Sequence, residues 1–388
     1  MKILMIAPEP FFEPRGTPFS EYFRIKALCK LGHTVDLVTY PLGRDKIIDG
    51  LRIFRSLRPP FVRSVKTGPS LTKIPLDFFL FFKVLGRLLR KKYDVIHTHE
   101  EACIMGVFFN KLFRVPHLYD MHSSLVQQMK NFQFTKSKLA AGFFKWIEKR
   151  SLKNAAAVIV ICKALYEYAS TITGKEKLTV IENFIDELQP PGALDRQCLE
   201  QTRQEIGSGK YKIILYTGTL EKYQGIPLLI DSMTYLPGMF RLVLIGGKPG
   251  QVEAVKALAA EKGLQDRVMI LGEKEPQEIP YYLGAADVLV SPRNSGTNIP
   301  LKIYAYLKSG IPVVATDLYT HTQSLNGDIA ILVEAEPEKF AAGIREAVSE
   351  RGQVVSENAR AFCRENYTYE RYLELVADAL KKAGQKKK

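Results

Sequence analysis

The 388-residue chain predicts an α/β protein built from two doubly wound domains. Three observations carry that expectation. Short apolar runs alternate with helical patterns, as the βαβ units of a parallel sheet require. The alternation breaks at a turn-rich stretch, Asp186–Gly192, and then begins again. The length also exceeds what one ordinary core organises, so two domains of roughly 190 residues fit better.

The first series opens on Ile3–Ala7, an apolar run too short for a signal peptide and suited to a first buried strand. Val35–Thr39, Val95–Thr98, His117–Asp120 and Ala157–Ile161 follow as strands. Helical spacing marks Phe19–Leu31, Leu76–Lys91, Ala102–Phe113 and Lys138–Leu152 between them. The second series has strands at Ile213–Thr217, Leu242–Ile245, Val268–Leu271, Val288–Ser291 and Pro312–Thr316. Helices near Val354–Glu365 and Tyr369–Lys382 close the chain. In sheets wound this way ligands bind beyond the carboxyl ends of the strands, here in a cleft between the domains.

One segment, SGTNIPLKIYAYLKSGIPVVATD (Ser295–Asp317), compresses loop, helix, turn and strand. Pro300 suits a first helical turn, and Gly310 suits the left-handed position just past a helix end. Lys302 is out of place, because a cation in the first turn opposes the helix macrodipole. A helix N-terminus with a lysine beside it is, however, a good place for a phosphate.

Composition is that of an ordinary soluble chain, 46% hydrophobic and 25% charged. The five cysteines (Cys29, Cys103, Cys162, Cys198 and Cys363) are scattered, with no ligand-like spacing, so reduced thiols in a cytosolic protein and no zinc are expected. The net charge of +14 is concentrated. Residues 51–150 hold 19 Lys and Arg against six Asp and Glu, a net of +13. Such a basic block interleaved with aromatics suits nucleic acid or an anionic membrane. Within it, Leu76–Lys92 is too short and too charged at its end to cross a bilayer. It reads either as an interfacial amphipathic helix or as a core helix with a basic end.

Several chemistries are disfavoured. Neither half has GxGxxG after its first strand, and there is no Walker A motif, which argues against dehydrogenase and kinase. No Ser-His-Asp, Cys-His or close carboxylate pair marks a hydrolase. Gly16, in PRGTPF, either admits a phosphate to the backbone or is a plain turn glycine. His97, His99 and Glu100 are potential metal ligands. On a strand, though, the two histidines share a face and Glu100 points away, so no metal is expected. His122 suits contact with a polar ligand, a purely structural role remaining open. Lys222, Lys248, Arg293 and Lys302 each follow a strand or start a helix, as anion contacts would.

Taken in order, KILMIAPEPFFEPRGTP, LGHTVDLVT, YDVIHTH, VIENFID, LYTGTLEKYQGIPLLIDSM, LVLIGGKPG, AADVLVSPR and SGIPVVATD resemble the retaining family 4 glycosyltransferases of the GT-B fold. The resemblance spans nearly the whole chain. It implies an acceptor domain over 1–186 with 367–388 crossing back, and a nucleotide-sugar domain over 193–366. It also implies transfer from a nucleotide diphosphate sugar with retention and without metal or cofactor, the departing diphosphate being stabilised electrostatically. Carried over by position, His122 lies near the transferred sugar. Gly16, Gly218, Thr219, Lys222, Gln224, Lys248, Arg293, Thr297, Asn298 and Lys302 fall on the donor side. His97, His99 and Glu100 fall on the acceptor side. This chain departs from the pattern at four donor contacts: Thr219 and Gln224 replace an arginine and a lysine, and Thr297 and Ala305 replace a glutamate pair.

The leading reading is an active transferase building a glycan or lipid-linked product at the cytoplasmic face of the plasma membrane. Its basic block contacts anionic lipid and not nucleic acid. A non-catalytic GT-B scaffold subunit and a sugar-nucleotide epimerase or phosphorylase are the alternatives.

Overall fold

The computed structural model describes residues 1–13, 16–65, 70, 72–126, 138–182 and 194–385. The stretch Asp186–Gly192, and Pro14 and Arg15 of the PRGTPF motif, lie outside them. The chain forms two compact units, Met1–Phe184 with Tyr369–Lys388, and Ile185–Thr368. The sequence reading sets those limits at 1–186 with 367–388, and 193–366.

In the first unit the strands are β1 (Lys2–Ala7), β2 (Thr34–Thr39), β3 (Leu51–Arg55), β4 (Val95–His99), β5 (His117–Met121), β6 (Ala157–Val160) and β7 (Leu178–Val180). They form a parallel sheet ordered β3-β2-β1-β4-β5-β6-β7. Helices α1 (Gly16–Lys30), α2 (Lys73–Arg90), α3 (Cys103–Phe113), α4 (Lys138–Asn154) and α5 (Lys163–Ser170) accompany it. The central strands are apolar almost throughout because helices cover both faces of a parallel sheet.

The second unit repeats the plan. Its strands are β8 (Lys212–Thr217), β9 (Phe240–Ile245), β10 (Val268–Gly272), β11 (Val288–Ser291), β12 (Val313–Thr316) and β13 (Ile331–Val333). The parallel order is β10-β9-β8-β11-β12-β13. Its helices are α6 (Arg196–Ile206), α7 (Ile226–Ser232), α8 (Pro249–Glu261), α9 (Ile279–Ala285), α10 (Lys302–Ser309), α11 (Tyr319–Thr322), α12 (Pro337–Ala347) and α13 (Glu350–Asn366). In both sheets the winding reverses, between β1 and β4 and between β8 and β11. Each reversal opens a crevice at the carboxyl ends of those strands, where ligands bind in this architecture.

The last helix, α14 (Tyr369–Gly384), returns to the first unit. It packs on α1 and against β5, β6 and β7. Tyr372, Val376, Ala379, Leu380 and Ala383 form its buried stripe. Lys382 Nζ fastens it by donating to Leu178 O at 3.1 Å and Thr179 Oγ1 at 3.0 Å.

The sequence reading recovers the central strands and misses β3, β7 and β13. All three are edge strands, and β7 and β13 are only three residues long. So short a run carries no readable period. Helix α2 satisfies half of each reading offered for Leu76–Lys92. Leu76, Leu80, Val84 and Leu88 are buried at four-residue spacing, while Ile74, Phe78, Phe82 and Leu89 face solvent. Among the described residues no helix is long and apolar enough to cross a membrane.

Candidate functional site

The second unit gathers a cationic site beyond β8, β9 and β11. Gly218 follows β8 with φ +132°, and Gly246 and Gly247 follow β9 with φ +114° and +90°. At Gly246 a Cβ would fall 2.1 Å from the Gly218 carbonyl oxygen, so the two loops touch through bare backbone. Helix α10 starts at Lys302 with Leu301 as its N-cap. Pro300 therefore stands ahead of the helix and not in its first turn, its carbonyl accepting from Ile303 N at 3.0 Å. Gly310 ends the helix in the left-handed conformation, φ +76°, as expected.

Lys302 turns back toward Gly218. Its Nζ lies 3.5 Å from the centroid of the Tyr216 ring, and a Cβ on Gly218 would be 3.5 Å from it. The residue is half-buried, but its Nζ is buried and has no hydrogen-bond partner among the described residues. Burial pushes the Lys302 ammonium well below the ordinary lysine range, and Arg293 pushes the same way. Arg293, one residue past Pro292 at the end of β11, donates from Nη1 to Asn298 O at 2.6 Å and Thr320 Oγ1 at 2.9 Å. Its guanidinium lies over Tyr223, 5.2 Å from the ring centroid, and its Nε is buried without a partner. Burial lowers its pKa as well.

Behind these cations the support is neutral. Tyr306 OH accepts from Thr217 N at 2.8 Å. Burial pushes His321 down to about 4, so the ring is uncharged at neutral pH. Its Nδ1 faces the Thr316 carbonyl at 2.9 Å and must carry the proton, which leaves Nε2 to accept from Ser291 Oγ at 2.9 Å. Two cations thus face one crevice, and neither forms an ion pair with a carboxylate among the described residues. Burying charge this way is costly unless an anion completes the site.

The structure sorts the sequence-derived donor residues. Gly218, Arg293, Asn298 and Lys302 come together. Lys222 and Lys248 stand exposed on neighbouring turns. Thr219 offers its carbonyl to Tyr216 OH at 2.6 Å, and Gln224 is buried with Oε1 unpartnered. Thr297 O accepts from Gln323 Nε2 at 2.6 Å, and Ala305 lies in α10. Tyr216, Tyr223 and Thr320 escape sequence reasoning, since each acts through a contact distant along the chain.

In the first unit a second network lies at the ends of β4 and β5. His97 and His99 share a strand face, as expected, with ring centroids 4.8 Å apart. The carboxylate that joins them is Asp120 and not Glu100. His97 Nε2 is 3.3 Å from Asp120 Oδ2, and His122 Nε2 is 3.2 Å from Asp120 Oδ1 and 3.2 Å from His99 Nδ1. Arg24 of α1 donates from Nε to Asp120 Oδ2 at 2.9 Å, and its guanidinium lies over Tyr372 of α14 at 5.3 Å. Burial alone would raise the Asp120 pKa, but Arg24 and then His122 hold it well below the usual carboxylate range. Burial alone would lower the His122 pKa, and Asp120 more than offsets it. His97 and His99 are lowered by burial.

His97, His99 and Asp120 could bring ligand atoms within 4.8 Å of one another. The Arg24 guanidinium already holds the oxygen a cation would need, so the donor set fits an ion-paired network better than a metal. His97 and His99 are wholly buried, and His122 is 4% exposed. Glu100 has φ +46°, unusual for a residue with a Cβ, and its Oε2 accepts from Ser123 Oγ at 3.0 Å. Burial pushes Glu100 up to about 8, partly opposed by His122. Gly16 opens α1 at φ +47° with open space around its Cβ position.

Known proteins share this plan. Residues 24–187 match the family model Glycosyltransferase Family 4, and residues 200–371 match Glycosyl transferases group 1. The chain is 24% identical to the D-inositol 3-phosphate glycosyltransferase of Corynebacterium aurimucosum, covering 88% of this chain and 87% of that one. It is 28% identical to the one of Acidothermus cellulolyticus, over 82% and 75%. Among solved structures it is similar to HepE of Anabaena in complex with UDP, with a TM-score of 0.77, 18% identity, and coverage of 98% and 100%. Sucrose-phosphate synthase of Thermosynechococcus elongatus gives 0.78, 20% identity, and 98% of each chain. With both halves matched in order on two switched parallel sheets, the chain belongs to the group 1 glycosyltransferases of the GT-B fold.

Proposed function

We propose that the chain transfers a sugar from a nucleotide diphosphate sugar to a glycan or lipid-linked acceptor, with retention and without a metal, at the cytoplasmic membrane face. The single observation that carries this reading is the half-buried pair Arg293 and Lys302, whose Nε and Nζ are buried without a partner and which meet no carboxylate among the described residues. A diphosphate supplies the missing charge, and Lys302 lies beside Gly218, where bare backbone also admits it. Stabilising the leaving diphosphate in a dry site is worth far more than in water, and here it falls to protein cations. Retention follows the family resemblance. UDP-glucose is the first donor to test, because HepE has been crystallised with it.

The departures at Thr219, Gln224, Thr297 and Ala305 then read as a relocated charge set. Burial holds Lys302 low in the empty site and an arriving diphosphate opposes that shift, so binding favours the protonated amine and weakens as pH rises. Calorimetry with UDP- and GDP-sugars in buffers of different ionisation enthalpy tests this. We expect binding with proton uptake, and a loss of about tenfold or more in Lys302→Ala. No binding to any nucleotide sugar would sink the transferase reading in favour of a scaffold subunit.

A further inference from the structure

The exposed apolar faces of α2 and α3 form one surface. Along α2, Ile74, Phe78, Phe82 and Leu89 are 51–70% exposed, and along α3 Ile104, Phe108 and Leu112 are 41–57% exposed. The α3 set and Ile74, Phe78 and Phe82 step by four residues, and Leu89 follows two turns on, which makes each a stripe rather than scattered residues. The stripes join through rings. Phe78 lies 4.8 Å from Phe82, Phe82 lies 5.5 Å from Phe81, and Phe81 lies 5.4 Å from Phe108 across the helix pair. Contiguous apolar surface of this kind marks an interaction site.

Charge selects the occupant. Lys83, Arg90 and Lys92 beside the α2 stripe, and Lys111 and Arg114 beside that of α3, are exposed and form no ion pair among the described residues. The two helices carry one carboxylate, Asp77, which is turned inward to accept from Tyr40 OH at 2.5 Å. A face combining aromatic rings with unpaired cations suits the interface of an anionic bilayer, where rings enter the headgroup boundary and cations meet lipid phosphates.

The same helices reach the candidate site. Lys73, in the first turn of α2, pairs with Glu101 at 2.6 Å, beside Glu100. Ile104, in the first turn of α3, lies three residues after Glu101. The apolar stripes thus begin at the sheet end that holds Glu100 and His122.

We propose that the α2–α3 face seats this chain on an anionic bilayer by inserting Phe78, Phe82 and Phe108, so that an acceptor presents its polar head to the first unit while its lipid anchor stays in the membrane. The acceptor part rests on the transferase reading; the docking does not. The test is co-sedimentation of the full chain with phosphatidylcholine vesicles with and without phosphatidylglycerol. We expect binding to the anionic vesicles only, reduced about tenfold or more by combined Phe78→Ser, Phe82→Ser and Phe108→Ser, and also by Lys83→Glu with Lys111→Glu. These side chains are exposed, and circular dichroism checks that the variants fold. As a second readout, Phe82→Trp with the sole tryptophan removed (Trp146→Phe) should be quenched by brominated lipid. Wild-type binding by the serine variant, or no quenching, overturns the proposal. So does self-association that the serine substitutions abolish in a chain that ignores vesicles, which would assign the face to a second copy. Donor calorimetry is run without lipid, so its failure strikes the transferase reading while the vesicle result still judges the docking.

Discussion

Arg24 and Asp120 are 1% and 0% exposed, and each is the other's reason for being charged there. Removing one partner of such a pair leaves an uncompensated buried charge, which costs about 3–5 kcal/mol. Arg24→Met should therefore lower unfolding stability by that order in urea titration, and a loss under about 1 kcal/mol would contradict the network. Its pH dependence has a definite sign. Asp120 is depressed in the fold, so its contribution is present above the unfolded carboxylate value near ~3.9 and is lost as pH falls. His122 is raised, so its contribution is present below about 6.5 and is lost as pH rises through the folded value. Sequence made half of this network legible. The shared face of His97 and His99 follows from strand periodicity, but the Arg24–Asp120 bond spans 96 positions and no local pattern announces it.

At the level of elements, glycines decide how closely the loops of the second unit approach. Gly225 has φ +72°, and a Cβ there would sit 1.8 Å from the Pro292 carbonyl oxygen. The two glycines of GTLEKYQG (Gly218–Gly225) do not have the GxGxxG spacing. The second instead lets the start of α7 lie against the strand end that carries Arg293. Gly225→Ala should cost about 2 kcal/mol or more from the left-handed backbone and the clash together. Gly250→Ala, where a Cβ meets nothing within 4 Å, is the matched control and should be near neutral. Thermal unfolding of the two variants, followed by donor titration, separates them. Helices and central strands were readable because their periods run long enough to count. Three-residue strands and the start of α10 were not, since capping and edge pairing are set by neighbours.

For the whole molecule, the division of the chain is uneven in sequence though regular in fold, because α14 completes the first unit after the second has intervened. Ending the chain at Thr368 would strip the cover that Tyr372, Val376 and Leu380 give to β5, β6 and β7 and remove the ring beside Arg24. Calorimetry should then show the first unit's transition lowered or lost and the second's nearly unchanged; equal loss in both would contradict the division. The two-unit plan was legible from repeated alternation, and the return of the last helix from family resemblance rather than from its own amphipathic pattern, which does not say which sheet it covers. On a ribosome that order has a further meaning. The second unit can be native before the first, although the first is translated earlier, because the first waits for its last helix to emerge. Until then the uncovered face of the older sheet is a surface for a chaperone to guard.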